Sequence, residues 1–222
     1  THLVADEGGL GIAFDSIELA IDFVVQAIEK VGLKPGVQVS LALDVASTQF
    51  FSNGTYNLTA SKKTYASGDF VSYIHGLVSN YPIVSIEDPF AEDDWQSWSS
   101  FMDIAPKDLQ VLGDDLLTTN SERLKRAIKE QAANSILIKP NQNGLVTNTH
   151  KVLMEAQSAG FRTVVSARSG ETEDSWLSDL ATGWRAAQIK VGSTHGSERT
   201  AKWNRLLELE QTENVEFSKA FQ

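Results

Sequence analysis

Three carboxylates in this sequence follow short apolar runs: Asp44 after residues 37–43, Glu87 after residues 83–86, and Asp114 after residues 109–112 and Gly113. The run at 83–86 is β-branched and bounded by Pro82 and Pro89, as in a strand buried on both faces. A carboxylate at the end of such a strand costs several kcal/mol to desolvate unless a cation or donors face it. Three acids around one mouth repel each other, and a hard divalent cation such as Mg²⁺, which prefers oxygen ligands, resolves that repulsion. The next three runs end at Lys139, Ser166 and Lys190. Partial burial and nearby cations favour the neutral form of a lysine, so Lys139 is the candidate general base. Its task would be to remove a proton from a carbon beside a carboxylate while a metal carries the charge that develops on the oxygens. Lys190 would add positive charge opposite it. Arg168 and Ser169, in a loop with Gly170 and Glu171, form a candidate anion clamp for a phosphate.

These residues need elements to position them. Asp6-Glu7-Gly8-Gly9 forms a turn after the short run 2–5. Ser16 caps a helix whose stripe is Ile17, Leu19, Ala20, Phe23, Val24, Ala27 and Ile28, and Gly32 and Pro35 end it. Residues 37–43 form a strand, and Asn53-Gly54 turns a hairpin. Helical periodicity returns at 70–77, and Trp95, Trp98 and Phe101 mark the packed face of the helix after Glu87. The remaining expected strands are 109–112, 135–138, 162–165 and 187–189. The helices between and after them are expected at 119–131, 148–158, 176–186 and 200–210. Strand and helix alternate with polar residues at strand ends about 25 to 30 residues apart, the spacing of an eight-unit barrel of about 250 residues. The expectation is α/β architecture, a TIM-type (β/α) barrel with about six of its eight strands, in one domain over residues 1–222.

Composition narrows the function classes. The sequence has 222 residues, 29 acidic and 19 basic, with a formal charge of −10. That balance excludes phosphate-backbone binding to nucleic acid, which needs a basic surface. No run approaches the roughly 18 apolar residues of a membrane span. With no cysteine there is no disulfide framework or thiolate site, which fits a reducing, cytoplasmic setting. The chain opens on Thr1 rather than Met, as a processed or excised piece does.

At the same residues the sequence resembles the enolase family. The matching segments are DEGG (6–9), LDVAS (43–47), YPIVSIEDPFAEDDW (81–95), GDDLLTTN (113–120), IKPNQNG (138–144), SARSGETEDSW (166–176), QIKVG (188–192) and SERTAKWNRLL (197–207). They occur in family order across nearly the whole chain, and a lysine base working beside Mg²⁺ is characteristic of that superfamily. The resemblance implies that Asp44, Glu87 and Asp114 bind Mg²⁺, with Glu87 and Asp114 also facing substrate. It makes Lys139 the base at C2 of 2-phosphoglycerate and Lys190 a ligand of the substrate carboxylate. Arg168 and Ser169 would hold the phosphate, and Glu7 would help the β-hydroxyl leave as water. The implied reaction is reversible dehydration of 2-phosphoglycerate, a phosphorylated hydroxy acid, to phosphoenolpyruvate, in a homodimer or higher homo-oligomer.

The sequence departs from the family at four places. Ala167 replaces a histidine that lies near the leaving hydroxyl, Gly196 stands where the family has arginine, and Gln49 stands where glutamate is usual. The small N-terminal capping domain and first two barrel strands have no counterpart in these residues, so the polypeptide alone is expected to be inactive. Ala167 and Gly196 leave two alternatives: an enzyme that abstracts an α-proton from another acid substrate, or an enolase-like binding protein whose chemistry has decayed.

Overall fold

The computed structural model describes residues 3–218 and residue 221. His2, placed by the sequence in the opening apolar run, lies outside the described residues. The chain divides into two compact units.

The first unit comprises Ala13–Leu117 and Glu122–Asn134. It opens with α1 (Ile17–Lys30), where the Ser16 hydroxyl accepts the Leu19 N–H at 3.2 Å as the expected N-cap. The apolar stripe differs from expectation. Ile21 and Ile28 are the buried residues of α1, whereas Leu19, Phe23 and Val24 are exposed, Phe23 at 48%. The helix is apolar around much of its circumference, so periodicity alone does not select the face that packs.

Strand β1 (Leu41–Asp44) starts four residues later than the apolar run. Residues 34–39 are held instead in a turn, with the Gln38 N–H donating to Lys34 O at 2.9 Å and the Gly36 N–H to Val39 O at 2.7 Å. The Asn53-Gly54 hairpin is present between β2 (Phe51–Ser52) and β3 (Thr55–Leu58), with both turn residues at positive φ. A third antiparallel strand, β4 (Lys63–Ala66), completes a small sheet. Helix α2 (Ser67–Asn80) then buries Phe70, Val71, Ile74, Leu77 and Val78. Tyr56 and Phe70 stack with ring centroids 4.2 Å apart and join the small sheet to that helix.

Strand β5 (Ile83–Glu87) pairs in parallel with β1 on one side and with β6 (Gln110–Gly113) on the other. Helix α3 (Trp95–Ile104) makes the crossover and buries Trp95, Trp98 and Phe101, as their spacing predicts. Helix α4 (Ser121–Glu130) follows β6.

The second unit comprises Thr1–Ile12, Thr118–Ser121 and Ser135–Gln222. Residues 5–9 turn tightly, the Ala5 N–H donating to Gly9 O at 2.8 Å, and Val4 bridges Leu10. Strand β7 (Ser135–Ile138) is buried throughout. It is followed by a short turn of helix, α5 (Pro140–Asn143), that periodicity does not reveal, and by α6 (Val146–Ser158). Strand β8 (Arg162–Ser166) pairs in parallel with β7 and with β9 (Gln188–Lys190). Helix α7 (Trp176–Gly183) is shorter than expected, and α8 (Ser197–Thr212) begins three residues earlier than expected. Among the described residues, six parallel strands alternate with helices, the α/β architecture of an incomplete TIM-type barrel. No helix among these residues is long and apolar enough to cross a membrane.

Candidate functional site

In the first unit the acids at the strand ends are positioned by parallel register. Asp44 and Glu87 are Cα partners at the last rung of the β1–β5 ladder, and Glu87 in turn pairs with Leu112 of β6. Asp114 therefore follows close beyond. Glu87, Asp88 and Asp114 each bring a carboxylate oxygen within 4.8 Å of the others. Asp44 stands beside Glu87 along the backbone, but it is exposed and outside that group.

Asp88 is the member that strand alternation does not point to. Its φ of +41° leaves the extended region. Its main chain is tied on both sides, the N–H donating to Leu112 O at 3.0 Å and the carbonyl accepting the Ser47 N–H at 3.1 Å. The side chain, 2% exposed, accepts the Asp114 N–H at 3.0 Å on one oxygen and the Asp115 N–H at 2.8 Å on the other. Asp88 thus fixes the backbone that carries Asp114. Burial pushes its carboxyl well above the ordinary carboxylate range. The Asp115 and Asp114 amides pull it down, while the charges of both residues push it up. The signal available beforehand was the acid pair Glu87-Asp88 before Pro89.

The donor set suits a hard cation. Oxygens on opposite sides of Mg²⁺ stand about 4.2 Å apart, twice its roughly 2.1 Å bond. The three carboxylate oxygens lie within 4.8 Å of one another, close to that scale. A divalent cation among them would also reverse the repulsion that raises Asp88.

The second unit carries the other candidates. Lys139 directly follows β7, is 9% exposed, and donates its main-chain N–H to the Thr119 hydroxyl at 2.9 Å. Lys190 ends β9 opposite Ser166 in register, and its carbonyl accepts the Ala167 N–H at 2.9 Å. Arg168 donates from its guanidinium to Asn141 Oδ1 at 3.2 Å, and its main-chain N–H goes to Glu171 Oε1 at 2.9 Å. Glu7 and Ser169, 162 residues apart in sequence, meet directly, the Ser169 hydroxyl donating to Glu7 Oε1 at 3.1 Å. Ala167 is buried at the end of β8, and Gly196, at φ +96°, is the residue before α8.

With this geometry in view, the sequence matches the family described as "Enolase, C-terminal TIM barrel domain" over residues 1–219. The chain belongs to that family.

Proposed function

We propose that this chain carries the acid–base and metal-binding residues of an enzyme that reversibly dehydrates 2-phosphoglycerate to phosphoenolpyruvate with Mg²⁺. The observation that carries the proposal is the gathering of Glu87, Asp88 and Asp114 within 4.8 Å in a member of the enolase barrel family. Glu87 and Asp114, with Asp44 as the adjoining acid, would hold the metal, which would supply positive charge for the substrate carboxylate oxygens. Lys139 takes the proton from the carbon next to the carboxylate. Lys190 pairs with the carboxylate itself, while Arg168 and Ser169 hold the phosphate. Glu7 gives a proton to the departing hydroxyl, which leaves as water while the carbon–carbon double bond forms. The chain acts as one partial barrel domain of a cytoplasmic homodimer or higher homo-oligomer, a state that sedimentation of the full-length protein tests.

The deciding experiment follows absorbance of phosphoenolpyruvate formed from 2-phosphoglycerate by the full-length gene product. Turnover that requires Mg²⁺ and disappears in Lys139→Ala supports the proposal. No turnover with intact metal binding overturns it. Ala167→His, which restores the family's residue, is expected to raise kcat by about a hundredfold or more, from the lower end of the range for a positioned acid–base group upward. The absence of family side chains at both Ala167 and Gly196 favours a second reading, an α-proton abstraction from another hydroxy acid. Turnover of such an acid, with 2-phosphoglycerate inert, would establish it.

A further inference from the structure

Two cations on α8, Arg199 and Lys202, are each 0% exposed. They lie one turn apart on the same face of the helix. A buried cation is tolerated where its donors are met, and here the acceptors reveal a purpose. Arg199 Nη1 donates to Arg168 O at 2.8 Å and to Val191 O at 3.0 Å. Its Nη2 donates to Asp6 O at 3.1 Å and to Ser169 O at 2.5 Å. Nε lies 3.4 Å from Glu198 Oε1, close enough for an ion pair but without hydrogen-bond alignment. One planar fork therefore ties three separate segments, and each is the main chain of, or next to, a residue assigned above: Glu7, Arg168 with Ser169, and Lys190.

The packing around the fork leaves no slack. A Cβ on Gly192, at φ +115°, would stand 2.7 Å from Glu7 O and 3.0 Å from Arg199 Cδ. A Cβ on Gly8, at φ +79°, would stand 2.2 Å from His195 O. The Ser193 N–H also donates to Glu7 O at 2.9 Å. Lys202 secures the far end of the loop, donating to Thr172 O at 2.7 Å and Asp174 O at 2.9 Å and pairing with Glu171 Oε2 at 3.0 Å. Glu171 holds the Arg168 amide with its other oxygen.

We propose that Arg199 is the positioning residue of the anion clamp: it fixes the spacing of the segments bearing Glu7, Arg168–Ser169 and Lys190 so that they receive a substrate with both a phosphate and a carboxylate. This rests on the function proposed above. A lysine retains the charge but not the fork, because a point ammonium has no planar pair of donors to span four carbonyls.

The test uses the full-length protein with Arg199→Lys and Arg199→Met, and reads three quantities. The first is KM and kcat for 2-phosphoglycerate. The second is Mn²⁺ affinity, which reports Glu87, Asp88 and Asp114 on the other unit. The third is protection of amides 168–170 from hydrogen exchange by added inorganic phosphate. The expected result is a KM at least tenfold higher in both variants, lost phosphate protection, and Mn²⁺ affinity within twofold of wild type. Loss of Mn²⁺ affinity in step with KM would mean general unfolding and overturn the positioning role, as would an unchanged KM. Should Arg199→Met not fold, Arg199→Lys decides alone. If that also fails to fold, Arg199 is a structural residue and the proposal falls. If wild type does not turn over 2-phosphoglycerate but phosphate protects its loop and not that of Arg199→Lys, the positioning role stands and the assigned reaction falls. Absence of phosphate protection in wild type removes the clamp and this role with it.

Discussion

Replacing Asp88 with asparagine separates its two roles, backbone acceptor and buried acid. The carboxylate accepts the Asp114 and Asp115 amides on different oxygens. A carboxamide offers one acceptor oxygen and turns an NH₂ toward the other amide, so one buried N–H loses its partner. That costs about 1–3 kcal/mol. Against it stands relief from burying an acid whose carboxyl is pushed upward by burial. The relief depends on pH. A carboxyl raised in the folded state binds its proton more tightly there than in the unfolded chain. Its favourable contribution is complete below the unfolded value of about 3.9 and is lost as pH rises through the raised folded value. Near pH 4 the folded wild type carries a neutral carboxyl, whose two oxygens both keep lone pairs for the amides where the carboxamide nitrogen has none, so the variant should be less stable by about 1–3 kcal/mol. At higher pH without metal the gap narrows.

Adding Mg²⁺ at that higher pH should widen the gap again. Wild type gains about 2.7 kcal/mol when the free ion is at a hundred times its dissociation constant, whereas the variant has lost one charge from the acidic group. The assay is denaturant unfolding of both proteins from pH 4 to 9, with chelator and then with Mg²⁺. No loss of stability near pH 4 would refute the acceptor role, a difference constant with pH would refute the raised carboxyl, and indifference to Mg²⁺ would refute the metal assignment.

Three further outcomes follow from the packing. Gly196→Arg, which restores the family's residue, should destabilise by about 1–3 kcal/mol in thermal or denaturant unfolding, because a side chain is forced into a backbone region open to glycine. Its Cβ also meets Glu198 Oε1 at 2.6 Å; stability at or above wild type would show that the loop readjusts. Tyr56→Phe should cost about 1–3 kcal/mol, since the buried hydroxyl donates to Asp94 Oδ2 at 2.8 Å and accepts the Ala91 N–H at 3.1 Å. Burial raises that phenol, so wild type alone should lose this contribution above its unfolded value of about pH 10, and equal alkaline profiles would contradict it. On α1 of this polypeptide, Ile21→Ala should cost about 2–5 kcal/mol. Phe23→Ala should cost under about 1 kcal/mol, well short of the core value; equal losses in unfolding experiments would mean Phe23 is buried.

Much of this fold was legible because its strands are short β-branched runs stopped by polar residues. Ser135–Ile138 carries the bounds its sequence suggests, and Ile83–Glu87 extends by the acid that ends it. What escaped reading has physical causes. Residues 37–40 are apolar enough for a strand, but the hydrogen bonds around Pro35 and Gly36 commit them to a turn. Lys63–Ala66 has no apolar face to register, because it is exposed except at Tyr65 and takes its order from Thr55–Leu58. The resemblance assigns metal roles to Glu87 and Asp114, while Asp88, beside Glu87 where the strand stops, receives no role from it. Period-2 logic turns neighbouring side chains to opposite faces, and the positive φ that overrides it is a property of the folded chain.

Charge burial sorts the remaining polar residues into two kinds. Arg199 and Lys202 are cations fully enclosed and met by carbonyl oxygens and carboxylates of the loops they join. Such donors hold a shape and leave little charge to offer a ligand. Asp88 is different, because its two amide bonds do not outweigh burial and the neighbouring acids, and its carboxyl stays above the ordinary range. A cluster in which burial and neighbouring charge raise one member's proton affinity is one that a divalent cation could neutralise. The same physical criterion separates the acids that follow β5 and β6, a group that could hold a metal ion, from the cations of α8, whose donors are taken up by the loops around them.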